Sequence, residues 1–158
     1  MASRQWTAYL FRNFLRLYLR LARDVELLKK EDPDHYANRF KPKLLKRIHD
    51  NITNVSDDPS RKEYRLGKTL GKEYTGWRRV KMFERYRLFF RFFDSFGEIF
   101  FAWLNDESTL REKGGASDVY KVFRAMLDRG EIPNHRQALL SESKPYSDEF
   151  ANRPAHRQ

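Results

Sequence analysis

The 158-residue chain contains no cysteine. That excludes disulfides, cysteine-ligated zinc and thiol nucleophiles, and it suits a reducing compartment such as a cytoplasm. Long apolar runs are missing too. Nothing approaches the roughly 20 residues of a membrane span, and Arg12, Arg16 and Arg20 interrupt any secretory h-region. Glycine is scarce, and the stretch GKTLGKE at 67–73 lacks the spacing of a phosphate-binding loop. The four histidines, His35, His49, His135 and His156, are scattered without metal-ligand spacing. The first 23 residues lack acids, as organellar transit peptides do, but the apolar period there runs on into Asp24 and Glu26. A structural helix accounts for that better than a targeting segment.

What the chain does hold is aromatic bulk and positive charge. Thirteen Phe, eight Tyr and three Trp supply the volume for a core. The length suits one domain, expected over 1–140, with a polar flexible tail at 141–158. The net charge of +10 is uneven. Residues 61–91 carry 11 basic and 3 acidic side chains, whereas 92–158 carry 9 basic and 11 acidic. Charge concentrated in this way attracts nucleic acid, anionic lipid or an acidic partner. The middle third offers no amphipathic anchor that would favour lipid.

Leu10, Phe14, Leu17, Leu21, Val25 and Leu28 recur at three- and four-residue spacings, which predicts a first helix ending near Lys30. Its other face carries Arg12, Arg16, Arg20 and Arg23. Asp32-Pro33-Asp34 signals a fresh helix start. Ala37, Phe40, Leu44, Ile48, Ile52 and Val55 continue a second helix, in which Pro42 should kink or interrupt. The period then changes to two. RLGKTL at 65–70 reads as a short strand, and strands are expected around Val80 and around Leu88–Phe92. DSFG at 94–97 is a turn, and EIFFAWLN at 98–105, apolar on both faces, is a central strand. A last helix runs from Ser117 to Arg129, stopped by Gly130 and Pro133. The fold class is therefore α+β, with a helical hairpin on one side of a small antiparallel sheet and a C-terminal helix.

Strand parity puts Arg79 and Lys81 on one side of their strand, opposite Val80 and Met82. Arg87 and Arg91 share a side of the next, opposite Leu88, Phe90 and Phe92. If the apolar sides face the helices, these cations gather on an open face with only Glu84 nearby. Unpaired charges of one sign in one place are better explained by an anionic ligand than by solvation alone. NDES at 105–108 has carboxylates for a cation, but such residues after a strand more often cap a turn. Read alone, Arg111 is a salt-bridging arginine and Tyr120 a packing aromatic.

Together, the stretches GWRRVKMFERYRLFFRF, WLNDESTLREKG and SDVYKVFRAMLDRGEIP closely resemble the YhaV toxins of bacterial type II toxin–antitoxin systems, within the RelE superfamily. KEDPDHYANR, KLLKRIH and GKTLG add to the likeness, which covers roughly residues 6–133. The resemblance implies a RelE-like fold and a cytoplasmic bacterial ribonuclease acting on mRNA at the ribosome, without metal or other cofactor. It also implies a cognate PrlF-like antitoxin of AbrB type, with which the toxin binds promoter DNA. RelE-type enzymes position RNA so that a ribose 2′-oxygen attacks the adjacent phosphate. Matched position by position, the catalytic set falls on Arg79, Lys81, Arg87, Arg111 and Tyr120. Lys68, Arg78, Arg85 and Arg91 are expected to hold the RNA backbone.

The sequence departs from the family pattern twice. Arg79 stands where the superfamily often has Lys, and a guanidinium stabilises charge rather than accepting a proton. The turn MFERYR is short and lacks the glycine common in relatives. Either Lys81 or Tyr120 is available as proton acceptor or donor. The competing reading is a non-catalytic binder on the same fold, blocking a protein target or acting only in a DNA-binding complex.

Overall fold

The computed structural model describes residues 5–106 and 118–147. Its centre is a five-stranded sheet in the order β2-β3-β4-β1-β5. The strands are β1 (Thr7–Phe11), β2 (Trp77–Met82), β3 (Tyr86–Phe93), β4 (Glu98–Leu104) and β5 (Ser143–Pro145). The helices are α1 (Arg12–Glu31), α2 (Phe40–Asp57), α3 (Val119–Asp128) and α4 (Arg136–Ser141). The α+β class stands, but the sheet is mixed, because β1 runs parallel to β4.

The expected first helix thus gives up its start to a strand. Leu10 satisfies the helical period of α1, yet its backbone pairs with Phe101 and its side chain is fully buried. Thr7, Ala8 and Tyr9 extend that pairing along Glu98, Ile99 and Phe100. The sheet also reaches past residue 141, since β5 pairs antiparallel with β1 through Ser143, Lys144 and Pro145. Pro42 causes no kink. It is the third residue of α2, where the N–H that proline lacks would have no helical acceptor. RLGKTL is a turn with one isolated bridge, Arg65 to Arg78, rather than a strand.

The α1 and α2 pair lies on one sheet face. Phe14, Tyr18, Leu21, Ile48, Ile52, Val80, Leu88, Phe90 and Phe101 share that core. Contacts between the helices run in opposite senses, Tyr18 to His49 and Asp24 to Lys41, so the two are antiparallel. The second face is not open as expected. Trp77, Phe89, Phe100 and Ala102 meet Val119, Phe123, Met126 and Leu127 of α3, with Leu139 of α4 and Leu66 and Leu70 of the preceding loop. The reason is compositional: Trp77, Phe89 and Phe93 share the parity of the cations, and such rings cannot be left in water. Phe123 is fully buried, stacked on Phe89 at 4.1 Å and edge-on to Trp77 at 5.1 Å. Burying one such ring contributes about 2–3 kcal/mol, which fixes α3 on the sheet.

A bulge interrupts the β3–β4 ladder. Phe89 pairs with Trp103 but Phe90 with Phe101, so Ala102 is skipped. The extra residue turns Trp103 to the α3 side and returns Leu104 to the α1–α2 core.

Candidate active site

Strand register brings the cations together. Lys81 stands opposite Arg87, and Arg79 opposite Phe89, on the face that carries α3. Opposed residues of neighbouring strands are close enough for their side chains to interact. Tyr120 arrives from the other direction. It lies one helical turn before Phe123, so the burial of Phe123 also delivers Tyr120 to the sheet. Its ring meets Phe89 edge-on at 5.9 Å. Asp118 caps the helix by accepting the Tyr120 backbone N–H at 2.8 Å.

The Tyr120 hydroxyl is held between two guanidinium groups. Arg79 Nε donates to it at 3.2 Å and Arg87 Nε at 3.1 Å. Both arginines are aimed by backbone carbonyls. Arg79 Nη1 reaches the carbonyls of Glu63 and Arg65 at 3.1 and 3.2 Å. Arg87 Nη1 reaches those of Glu84 and Tyr86 at 2.6 and 3.0 Å. Burial pushes the Tyr120 phenol pKa up, but hydrogen bonds and charge from Arg79 and Arg87 outweigh it, and the net direction is down. With two N–H groups donating to its oxygen, the phenol keeps its own O–H to donate elsewhere. Among the described residues, no carboxylate lies within ion-pair distance of Arg79, Lys81 or Arg87. Nor do three His, Cys, Asp or Glu side chains gather there as a metal-binding group.

The other expected site residues separate. Arg111, with Glu107 and Ser108 of the NDES stretch, lies outside the described residues. Arg78 is on the opposite sheet face, its guanidinium 5.0 Å from the Phe92 ring centre, so it does not join the cluster. Arg91 shares the α3 face but is turned inward, bonded to the backbone and side-chain oxygens of Asn134 and lying over Phe93. It supports the fold at that end instead of presenting charge. Arg85 is exposed in the β2–β3 turn, and Lys68 is exposed in the loop beside the outer edge of β2. Both remain available to a long polyanion.

Two polar residues that pattern reasoning passed over organise this region. Asn134 accepts from Trp77 Nε1 at 2.9 Å as well as from Arg91. Asn105 is 1% exposed and bonds both the Arg87 N–H and the Arg85 carbonyl. Asn105 sits inside the WLNDE run, but nothing in its spacing gives it a partner. The β2–β3 turn itself is unusual. Phe83 and Glu84 have φ of 45° and 65°, the left-handed region that glycine would occupy more easily.

The chain matches the model of a family described as a toxin with endonuclease activity, of a toxin–antitoxin system, over residues 8–144. It is 39% identical over 142 residues to the toxin YhaV of Escherichia coli O6:H1, covering 88% of this chain and 92% of that protein. The identity and coverage are the same for the ribonuclease toxin YhaV of Escherichia coli K12. No solved structure matches the chain.

Proposed function

The chain belongs to the YhaV family of toxins with endonuclease activity, and from that premise we propose that it is a metal-independent endoribonuclease whose site is Arg79, Lys81, Arg87 and Tyr120, completed by Arg111. The observation that carries the reading is the Tyr120 hydroxyl held between Arg79 Nε and Arg87 Nε. Two guanidinium groups meeting at one phenol, with Lys81 alongside and no carboxylate paired to them among the described residues, suit a dianionic phosphorane.

In this mechanism the ribose 2′-oxygen attacks the adjacent phosphorus and its proton passes to water, while the Lys81 ammonium stands beside the arginines at the phosphate. Arg79 and Arg87 neutralise charge on the non-bridging oxygens. The P–O5′ bond breaks, and Tyr120 gives its proton to the departing 5′-oxygen, a transfer eased by its lowered pKa. The products are a 2′,3′-cyclic phosphate and a 5′-hydroxyl. The substrate is mRNA engaged at the ribosome, and the partner is an AbrB-type antitoxin with which the toxin holds its promoter. These last assignments rest on the sequence resemblance, as does the RelE-like arrangement. The antiparallel helix pair against the sheet supports the latter.

The test is cleavage of RNA by the purified protein, with and without ribosomes and with EDTA. Cleavage that persists in EDTA, leaves cyclic phosphate ends and is lost in folded Arg87→Ala is the expected result. RNA left intact in both settings favours a non-catalytic binder.

A further inference from the structure

We infer that Asn105 is a positioning residue for the site: its buried carboxamide locks the β2–β3 turn and the Arg87 backbone so that the Arg87 guanidinium meets Tyr120. The inference rests on the ribonuclease reading for its catalytic consequence, but its geometry stands on separate observations.

The regular β3–β4 ladder ends at Leu88 and Leu104. One residue further on, the Asn105 side chain takes over from the backbone. Its Oδ1 accepts the Arg87 N–H at 2.7 Å, and its Nδ2 donates to the Arg85 carbonyl at 3.1 Å. The two partners fix the orientation of the amide, since an N–H needs the oxygen and a carbonyl needs the NH2. The carboxamide thus imitates one more peptide rung. No other small side chain supplies both a donor and an acceptor in that plane. Asp lacks the donor and Ala lacks both.

What this rung holds is a turn that does not hold itself. Phe83 and Glu84 are left-handed without being glycine, and such backbone persists only when its surroundings fix it. The same turn provides the Glu84 carbonyl that, with the Tyr86 carbonyl, aims Arg87 Nη1. Arg87 Nε then reaches Tyr120. Asn105 therefore grips the arginine twice, at its own backbone and through the turn whose carbonyl orients its side chain. The bulge at Ala102 matters here, because a ladder without the skipped residue would bring a different residue to the end of β3.

The test compares wild type with Asn105→Ala and Asn105→Asp, each checked for folding by circular dichroism and thermal melting. The first readout is independent of RNA: the Arg87 Nε–H resonance in 15N NMR, assigned by its loss in Arg87→Lys. It should move or broaden in both variants while the remaining spectrum persists. The second is kinetic. For Asn105→Ala, kcat should fall on the order of 10²-fold, as expected for a small misplacement of a catalytic group, with KM within about threefold. The alkaline limb of kcat should shift to higher pH as Tyr120 loses a donor. Asn105→Asp keeps the acceptor for the Arg87 N–H and should fall between. An unchanged Arg87 Nε–H signal in a folded variant overturns the proposal, as does unchanged kcat or a loss confined to KM. If wild type leaves RNA intact while the resonance moves, the positioning role stands and the ribonuclease reading falls. Should Asn105→Ala not fold, Asn105→Asp carries both measurements.

Discussion

Tyr120 does two jobs with separate atoms. Its ring packs edge-on against Phe89 and its hydroxyl receives Arg79 and Arg87. Tyr120→Phe removes only the second. RNA cleavage should fall by roughly 10²-fold or more, the usual weight of a general acid, while the melting temperature stays within a few degrees. In wild type the rate should decline as pH rises through the Tyr120 pKa, because the working form is the protonated phenol. That decline should lie below the ordinary tyrosine range near 10, since the guanidinium groups lower the pKa. A single-turnover pH profile checks both points, and an alkaline limb shared by Tyr120→Phe would remove Tyr120 from the role of acid.

Between elements, the α1–α2 pairing carries a titratable contact. Tyr18 is held protonated, its pKa raised by burial and by Tyr146, and its hydroxyl shares a hydrogen bond with His49 Nε2 at 2.7 Å. Burial favours the neutral form of His49 and lowers its pKa despite the opposing charge of Asp50. The sign follows directly. Between the lowered folded pKa and the unfolded value near 6.5, the unfolded chain binds more protons, so stability falls as pH drops through that window and levels off below it. Melting temperatures should decrease from pH 7.5 to pH 5, and His49→Gln, which accepts a hydrogen bond without titrating, should decrease less. Equal slopes in the two proteins would assign the acid sensitivity elsewhere.

For the whole molecule, charge and packing are divided between the sheet faces unevenly. One face is nearly all core, whereas the other buries Trp77 and Phe89 beside exposed Lys81 and half-buried Arg79 and Arg87. The net charge of +10 makes salt-dependent attraction to RNA unavoidable. The proposed mechanism adds local phosphate contact at the site. In the slowed Tyr120→Phe background, Lys81→Gln should reduce the slope of log K against log salt by about 0.7, the value for one phosphate contact on a single strand. An unchanged slope would place Lys81 outside the RNA track. Among the described residues no helix is long and apolar enough to cross a membrane.

Much of this architecture is legible from periodicity. The alternation around Val80 and Leu88 gives β2 and β3 with the correct faces, the two-sided apolar run gives β4 as a central strand, and Gly130, at φ 76°, stops α3 close to its expected end. The parity of Arg79, Lys81 and Arg87 follows from the same period. Side-chain spacing reports which face a residue takes, but not what covers that face. Leu10 fits a helix and is a strand residue because a backbone partner, β4, was available to it. Trp77 and Phe89 share the parity of the cations, yet only the docking of Phe123 shows that this face is half core. Arg78 and Arg91 look like Arg79 and Arg87 in sequence, and only their contacts with Phe92 and Asn134 set them apart. Composition and alternation depend on neighbours in the chain, so the sequence by itself determined strands β2, β3 and β4, the basic character and the family likeness. The meeting of Tyr120 with two arginines, and the buried rung of Asn105, depend on contacts between residues 18 to 41 positions apart. Packing of whole elements decides such contacts, and only the tertiary structure contains it.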